Sequence, residues 1–147
     1  QWAKFLEPLN IGYPQIIKSI ESEFEPRGLQ KERRLLEKIQ DRCFYCEKIL
    51  EKNEINVEHI IPYSYLKHNK MWNLTLACRK CNCTKLGSLP KPKSTWMDEI
   101  HNRNEKFRAK IHLLDKHLQE LGSDYKIKME IMYDLATNQG FIEKEMP

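Results

Sequence analysis

Apolar residues recur along this 147-residue chain with two different periods, and the change of period divides it. Over residues 14–24, Ile16, Ile17, Ile20 and Phe24 fall at helical spacing, with Pro14 as a first-turn residue. Residues 1–13 are weakly patterned around Trp2, Phe5, Leu6 and Leu9, and Glu25-Pro26-Arg27-Gly28 reads as a turn. Leu35, Leu36 and Ile39 predict a second helix from residue 29 to about 40. The helical period then stops. Two short apolar runs, residues 55–61 and 74–77, have strand length, and Pro62 closes the first because proline cannot donate to a ladder. A short helix is expected over residues 79–86, ended by Gly87. Residues 89–93, with Pro90 and Pro92, predict an extended linker. Beyond it, Ile100, Phe107, Ile111, Leu114, Leu118 and Leu121 make one stripe, which predicts a single long helix over about 95–121 with Gly122 as its cap. Ser123 or Asp124 then starts a last helix to about Thr137, with Ile131, Met132 and Leu135 inside.

The pattern therefore predicts an α+β fold in three parts: an N-terminal helical segment (1–42), a small ββα core (43–90), and a C-terminal helical segment packing on that core (91–147). Composition narrows this. Hydrophobic residues at 40% suffice for a compact core but not a large one. No apolar run approaches the roughly 20 residues that cross a bilayer, and no basic-then-apolar leader opens the chain, so a cytoplasmic protein with no membrane partner is expected. Gln1 at the start points to a piece of a longer parent, whose further domain or subunit would supply specificity. The net charge of +4 leans mildly towards polyanions and by itself does not establish nucleic-acid binding.

Five cysteines point to metal before disulfides. Cys43-x-x-Cys46 and Cys78-x-x-Cys81 have the spacing with which two tight turns grip one tetrahedral Zn²⁺. Cys83 is the extra one; it could replace Cys81 only by giving up the matched spacing, so Cys81 is the expected ligand and Cys83 a packed thiol. Four protein ligands leave no position for water, which makes the predicted zinc structural. In so small a core, metal binding would be a large part of folding.

Between and after the pairs stand Val57-Glu58-His59-Ile60-Ile61-Pro62, Asn73-Leu74 and Cys78-Arg79-Lys80-Cys81-Asn82-Cys83-Thr84-Lys85. Together, in this order, these stretches resemble the HNH endonuclease family: its acidic-His-Ile-x-Pro strand, its Asn-Leu second strand and its Cys-x-x-Cys-(His or Asn)-x-x-Lys helix. The resemblance covers residues 43–87. It implies a ββα-metal core with a structural zinc knuckle and a metal-dependent endonuclease hydrolysing nucleic-acid phosphodiester bonds, with DNA the favoured substrate. It implies His59 as general base, since neutral imidazole accepts a proton near pH 7. Glu58 and Asn82 would hold a catalytic Mg²⁺ or Mn²⁺ through hard oxygens, and Asn73 would orient the base by a hydrogen bond to the backbone of His59. Glu58 and His59 are strand neighbours and point to opposite faces, so they can share a site only where the strand ends or bulges. The chain departs from the name-giving pattern at Glu58, where Asp is commoner, and at Asn82, where His is frequent; the second change tilts the metal towards Mg²⁺ or Mn²⁺.

Arg79, Lys80 and Lys85, followed by Lys91 and Lys93, are the candidate phosphate contacts. Tyr63, Tyr65 and Trp72 are candidates for stacking, with packing the more common use of a tryptophan. His68, His101, His112 and His117 carry no motif and are expected to face solvent or pack lightly. A double-strand break needs two such sites, so the long apolar stripe could support a homodimer. By family analogy such segments belong to larger restriction or antiviral-defence proteins. The rival class is a non-catalytic zinc module that binds nucleic acid or protein, alone or inside a larger machine; it would have no use for Glu58, His59, Asn73 and Asn82 together.

Overall fold

The computed structural model describes residues 28–147. The helix expected over 14–24 and the lead-in before it lie outside the described residues. Helix α1 (Gln30–Leu36) is shorter than its pattern predicts: the chain leaves the helix after Leu36, and Gln40 takes another task.

The centre is an antiparallel pair, β1 (Ile55–His59) and β2 (Leu74–Cys78), in the register Ile55↔Cys78 to His59↔Leu74. A short helix α2 (Tyr63–Leu66) and a 3-10 turn (Met71–Asn73) fill the connection. Both strands fall on the predicted runs, with β1 stopping at His59, two residues early. Every residue of β2 is buried, which a two-stranded sheet achieves only if its far edge is covered. The Gln40 side chain covers it: Oε1 accepts from the Leu76 N–H at 3.0 Å, and Nε2 donates to the Leu76 carbonyl at 2.7 Å. One side chain thus does the work of a neighbouring strand.

Helix α3 (Arg79–Lys85) follows β2 without a loop and ends as expected, with Leu86 and Gly87 at positive φ. The predicted linker is instead strand β3 (Leu89–Lys91), paired in parallel with β4 (Glu143–Glu145) at the far end of the chain. The Tyr133 hydroxyl fixes the same turn of chain by donating to the Pro90 carbonyl at 2.7 Å.

The single long helix is corrected to two, α4 (Lys93–Phe107) and α5 (His112–Leu121). No proline or glycine breaks them; Ile111 is simply extended, at φ −121° and ψ 96°. The break lets Ile100 on one helix and Leu114 and Leu118 on the other reach full burial, so tertiary packing overrides a helix-favouring sequence. Arg108 holds the corner through Nε to Asp115 at 2.9 Å. The last helix, α6 (Tyr125–Asn138), starts after Asp124 as predicted, but its buried face is Tyr125, Met129, Tyr133 and Ala136. Ile131 is exposed, and Met132 and Leu135 only flank the core. One cluster of buried side chains runs from Leu36 through β2 to Met129 and Tyr133, so the C-terminal helices and the ββα unit share a core.

Candidate active site

Two groups of side chains adjoin α3, and the first is made of sulfur. Cys43 and Cys46 sit in a tight turn closed by the Glu47 N–H to Cys43 carbonyl bond (3.0 Å) and the Cys43 N–H to Lys48 carbonyl bond (2.8 Å), with Glu47 at φ 59°. Cys78 ends β2 and Cys81 lies in the first turn of α3. The Phe44 N–H donates to the Leu76 carbonyl at 3.0 Å, which brings the turn against β2. All four sulfurs lie within 4.8 Å of one another, and Cys46 Sγ is 3.8 Å from Cys78 Sγ. A tetrahedral zinc with bonds of about 2.3 Å places its sulfurs about 3.8 Å apart; a disulfide needs about 2.05 Å. Burial pushes the Cys43 and Cys81 thiols up, so thiolates packed this closely call for a cation. Burial acts on Cys78 too, yet the Cys81 backbone N–H and the neighbouring thiols bring it below its ordinary value. The four side chains fit Zn²⁺. Cys83, expected as a packed thiol, is instead exposed, and it stands outside this cluster. Trp96 stacks edge-on against Tyr45, with centroids 5.0 Å apart, and so seats α4 on the knuckle.

The second centre gathers where β1 ends. Strand pairing stops at His59, and the backbone then bends through Ile60, Ile61 and Pro62 into α2. That end is what allows the side chains of two strand neighbours to approach a common region. His59 is 8% exposed. Its Nε2 lies 3.0 Å from Asn69 Oδ1. Tyr63 packs edge-on against the ring at 5.3 Å.

Asn73 is fully buried, and its amide clamps a single residue: Oδ1 accepts from the Ile61 N–H and Nδ2 donates to the Ile61 carbonyl, both at 2.8 Å. The expected bond to the His59 backbone is therefore displaced by two residues. The register explains this, because Asn73 precedes the last pair, His59↔Leu74, and faces the chain just after it turns. The His59 carbonyl is held instead by Lys85 Nζ at 2.7 Å.

Lys85 requires the larger correction. Its side chain is wholly buried, and Nζ also bonds Glu58 Oε1 at 2.8 Å, so it cannot be a phosphate contact. Burial lowers its pKa and the Glu58 carboxylate pulls it back up. An ammonium is kept here because it spans two acceptors, one on a side chain and one on the main chain. Asn82 lies three residues earlier on α3 and is half-buried, on the same side of the helix as Lys85. Arg79 and Lys80 are exposed, as a phosphate contact must be. Trp72 and Tyr65 are buried in the core and unavailable for stacking; Tyr63 remains half-exposed. Lys91 and Lys93 pair with Glu145 and Asp134. His101 is buried rather than lightly packed.

The loop that carries Asn69 is itself held by the C-terminal helices. The Met71 N–H donates to His117 Nδ1 at 3.0 Å, Lys70 pairs with Glu120, and Asn104 Nδ2 donates to the Trp72 carbonyl at 3.1 Å. Neither Asn69 nor His117 carries a signal in the sequence; each acts through a loop whose path is set by tertiary packing. Comparison of the chain with curated proteins and with solved structures gave no match. Residues 43–91 do match the family model described as HNH endonuclease, which places the cysteine knuckle, His59 and the α3 side chains inside a nuclease-type domain.

Proposed function

We propose that this protein is a metal-dependent endonuclease that hydrolyses phosphodiester bonds of nucleic acid, DNA being the substrate, with His59 as general base. The observation that carries the reading is the hydrogen bond between His59 Nε2 and Asn69, which fixes the imidazole at the end of β1, the strand that also carries Glu58. Phosphodiester hydrolysis requires that a water lose its proton as it attacks phosphorus, and a fixed neutral imidazole is suited to take it. Asn69 and Asn73 are positioning residues: the first holds the ring, the second holds the backbone two residues on.

The Glu58 carboxylate and the Asn82 amide carbonyl are hard oxygen donors and fit Mg²⁺ or Mn²⁺. Such an ion, when bound, neutralises charge on the leaving oxygen. Lys85 orients Glu58 from the protein side through Oε1. Arg79 and Lys80, exposed on the first turn of α3, hold substrate phosphates without reading sequence. The zinc held by Cys43, Cys46, Cys78 and Cys81 takes no part in the chemistry and fixes α3 in register, the rigid support that a catalytic constellation needs. A role in restriction or defence, as part of a larger protein, follows from family analogy alone.

The test is plasmid nicking with a panel of divalent cations. The parent should cut with Mg²⁺ or Mn²⁺, and His59→Ala should lose at least about a hundredfold in rate while keeping its zinc and its circular-dichroism spectrum. If His59→Ala nicks as fast as the parent, the base is misassigned; if the zinc-loaded parent fails to cut with every cation of the panel, the reading becomes that of a binding module.

A further inference from the structure

Several lysines of the described residues are neutralised by a carboxylate: Lys48 by Glu54, Lys70 by Glu120, Lys93 by Asp134 and Lys128 by Asp124. Others are not, and four of these lie together. Lys31, Lys38, Lys110 and Lys116 have no carboxylate partner among the described residues, and all four line one cleft of about 610 Å³. Lys31 and Lys38 come from α1 and the turn after it, Lys110 and Lys116 from the α4–α5 corner and α5, so cations face one another from two independent elements. Among the described residues no acidic side chain lines the cleft. Its floor is apolar, built from Leu35, Ile39 and Leu113, against which lysine stems can lie with their heads in water. The other large cleft of the helical side, about 650 Å³, is lined by Glu105 and Asp124 as well as Arg108 and Lys126 and has no dominant sign.

Cations of one sign on low-dielectric walls focus the field between them, and their mutual repulsion is relieved only by an anion. A single small anion would not engage both walls of a cleft this size, whereas a chain of phosphates would. We propose that this cleft binds the phosphate backbone of a nucleic-acid strand at a distance from the hydrolytic centre. Its position fits a strand that continues to that centre. Lys116, which lines the cleft, is the chain neighbour of His117, and His117 bonds the loop whose Asn69 holds His59. That the bound strand is the one cut rests on the endonuclease reading; that the cleft binds a strand does not.

The experiment measures binding without cleavage. A fluorescein-labelled oligonucleotide, as duplex and as single strand, is titrated with the full chain by anisotropy across a potassium chloride series without divalent cation. The parent is compared with two charge-matched triples whose zinc content is verified: Lys31, Lys38 and Lys116→Gln in the cleft, and Lys48, Lys126 and Lys128→Gln elsewhere. Each phosphate contact contributes about 0.7 to 0.9 to the slope of log affinity against log salt, so the cleft triple should lower that slope by about 2 to 3. At moderate salt its affinity should fall at least about tenfold, with the control triple changing little. Equal losses in both triples, or a parent whose binding has no salt dependence, would overturn the proposal. A parent that binds with this slope and never cuts sinks the hydrolytic reading and leaves the cleft standing.

Discussion

The knuckle-and-hairpin unit and the three C-terminal helices stabilise themselves by different means. The first is held by directed contacts: four sulfurs within 4.8 Å, the Gln40 amide along β2, the Asn73 clamp on Ile61. The second is held by shape, with Ile100, Leu114, Leu118 and Met129 fully or almost fully buried. Directed contacts fix atoms to tenths of an ångström but tolerate little change, whereas apolar packing tolerates change and fixes less. The candidate chemistry draws on both. Lys85, on the metal-braced helix, sets Glu58; His117, on a packed helix, holds the loop that sets His59.

The sharpest way to break this contrast is Cys81→Ser. Apparent zinc binding in small domains is worth about 10–16 kcal/mol and is folding free energy there. The variant should lose stoichiometric zinc by elemental analysis and lose cooperative unfolding of the hairpin. A folded, zinc-free Cys81→Ser protein would mean that packing alone supports the core. Leu114→Ala probes the other side. It should cost about 2–5 kcal/mol in urea unfolding, the range for leucine truncation in a packed core, while zinc content stays at one per chain. Zinc loss in that variant would show that the two regions are not separable.

Acid should act more gently. Burial holds His101 and His117 below the ordinary histidine value. In the unfolded chain these rings take up protons near pH 6.5; in the folded protein they resist until lower pH. Their contribution is fully present above that value and is lost as pH falls through it, at no more than about 1.4 kcal/mol per unit per ring. Urea midpoints should fall between pH 7.5 and pH 5.5, and His117→Gln should flatten part of the slope. Zinc measured in the same samples separates this from acid release of the knuckle.

What could be read from the chain divides along the same line. Ligand spacing is a local property, so the two cysteine pairs and the strand runs around them were legible, and the four sulfurs do converge. Helix α3 was legible for the same reason, since Gly87 and the motif both lie within it or next to it. The break between α4 and α5 was not, because nothing in residues 108–111 disfavours helix; the core demands it. The β3–β4 pairing was hidden because Glu143-Lys144-Glu145 has no apolar alternation, and its partner begins more than fifty residues earlier. Lys85 looked like a surface cation because a sequence records that a charge is present and not that a carboxylate and a carbonyl have enclosed it.

The parallel pairing of β3 with β4 sets an order of assembly. Every cysteine of the knuckle has left the ribosome once residue 81 emerges, so that unit can close while synthesis continues. Strand β3 has no partner until Glu143–Glu145 arrives, and the carbonyl of Pro90 must wait for Tyr133. The nascent chain therefore gains its metal clasp early and its final fastening last, which keeps the two helical turns around Arg108 free to find their angle before the loop from 89 to 145 is tied.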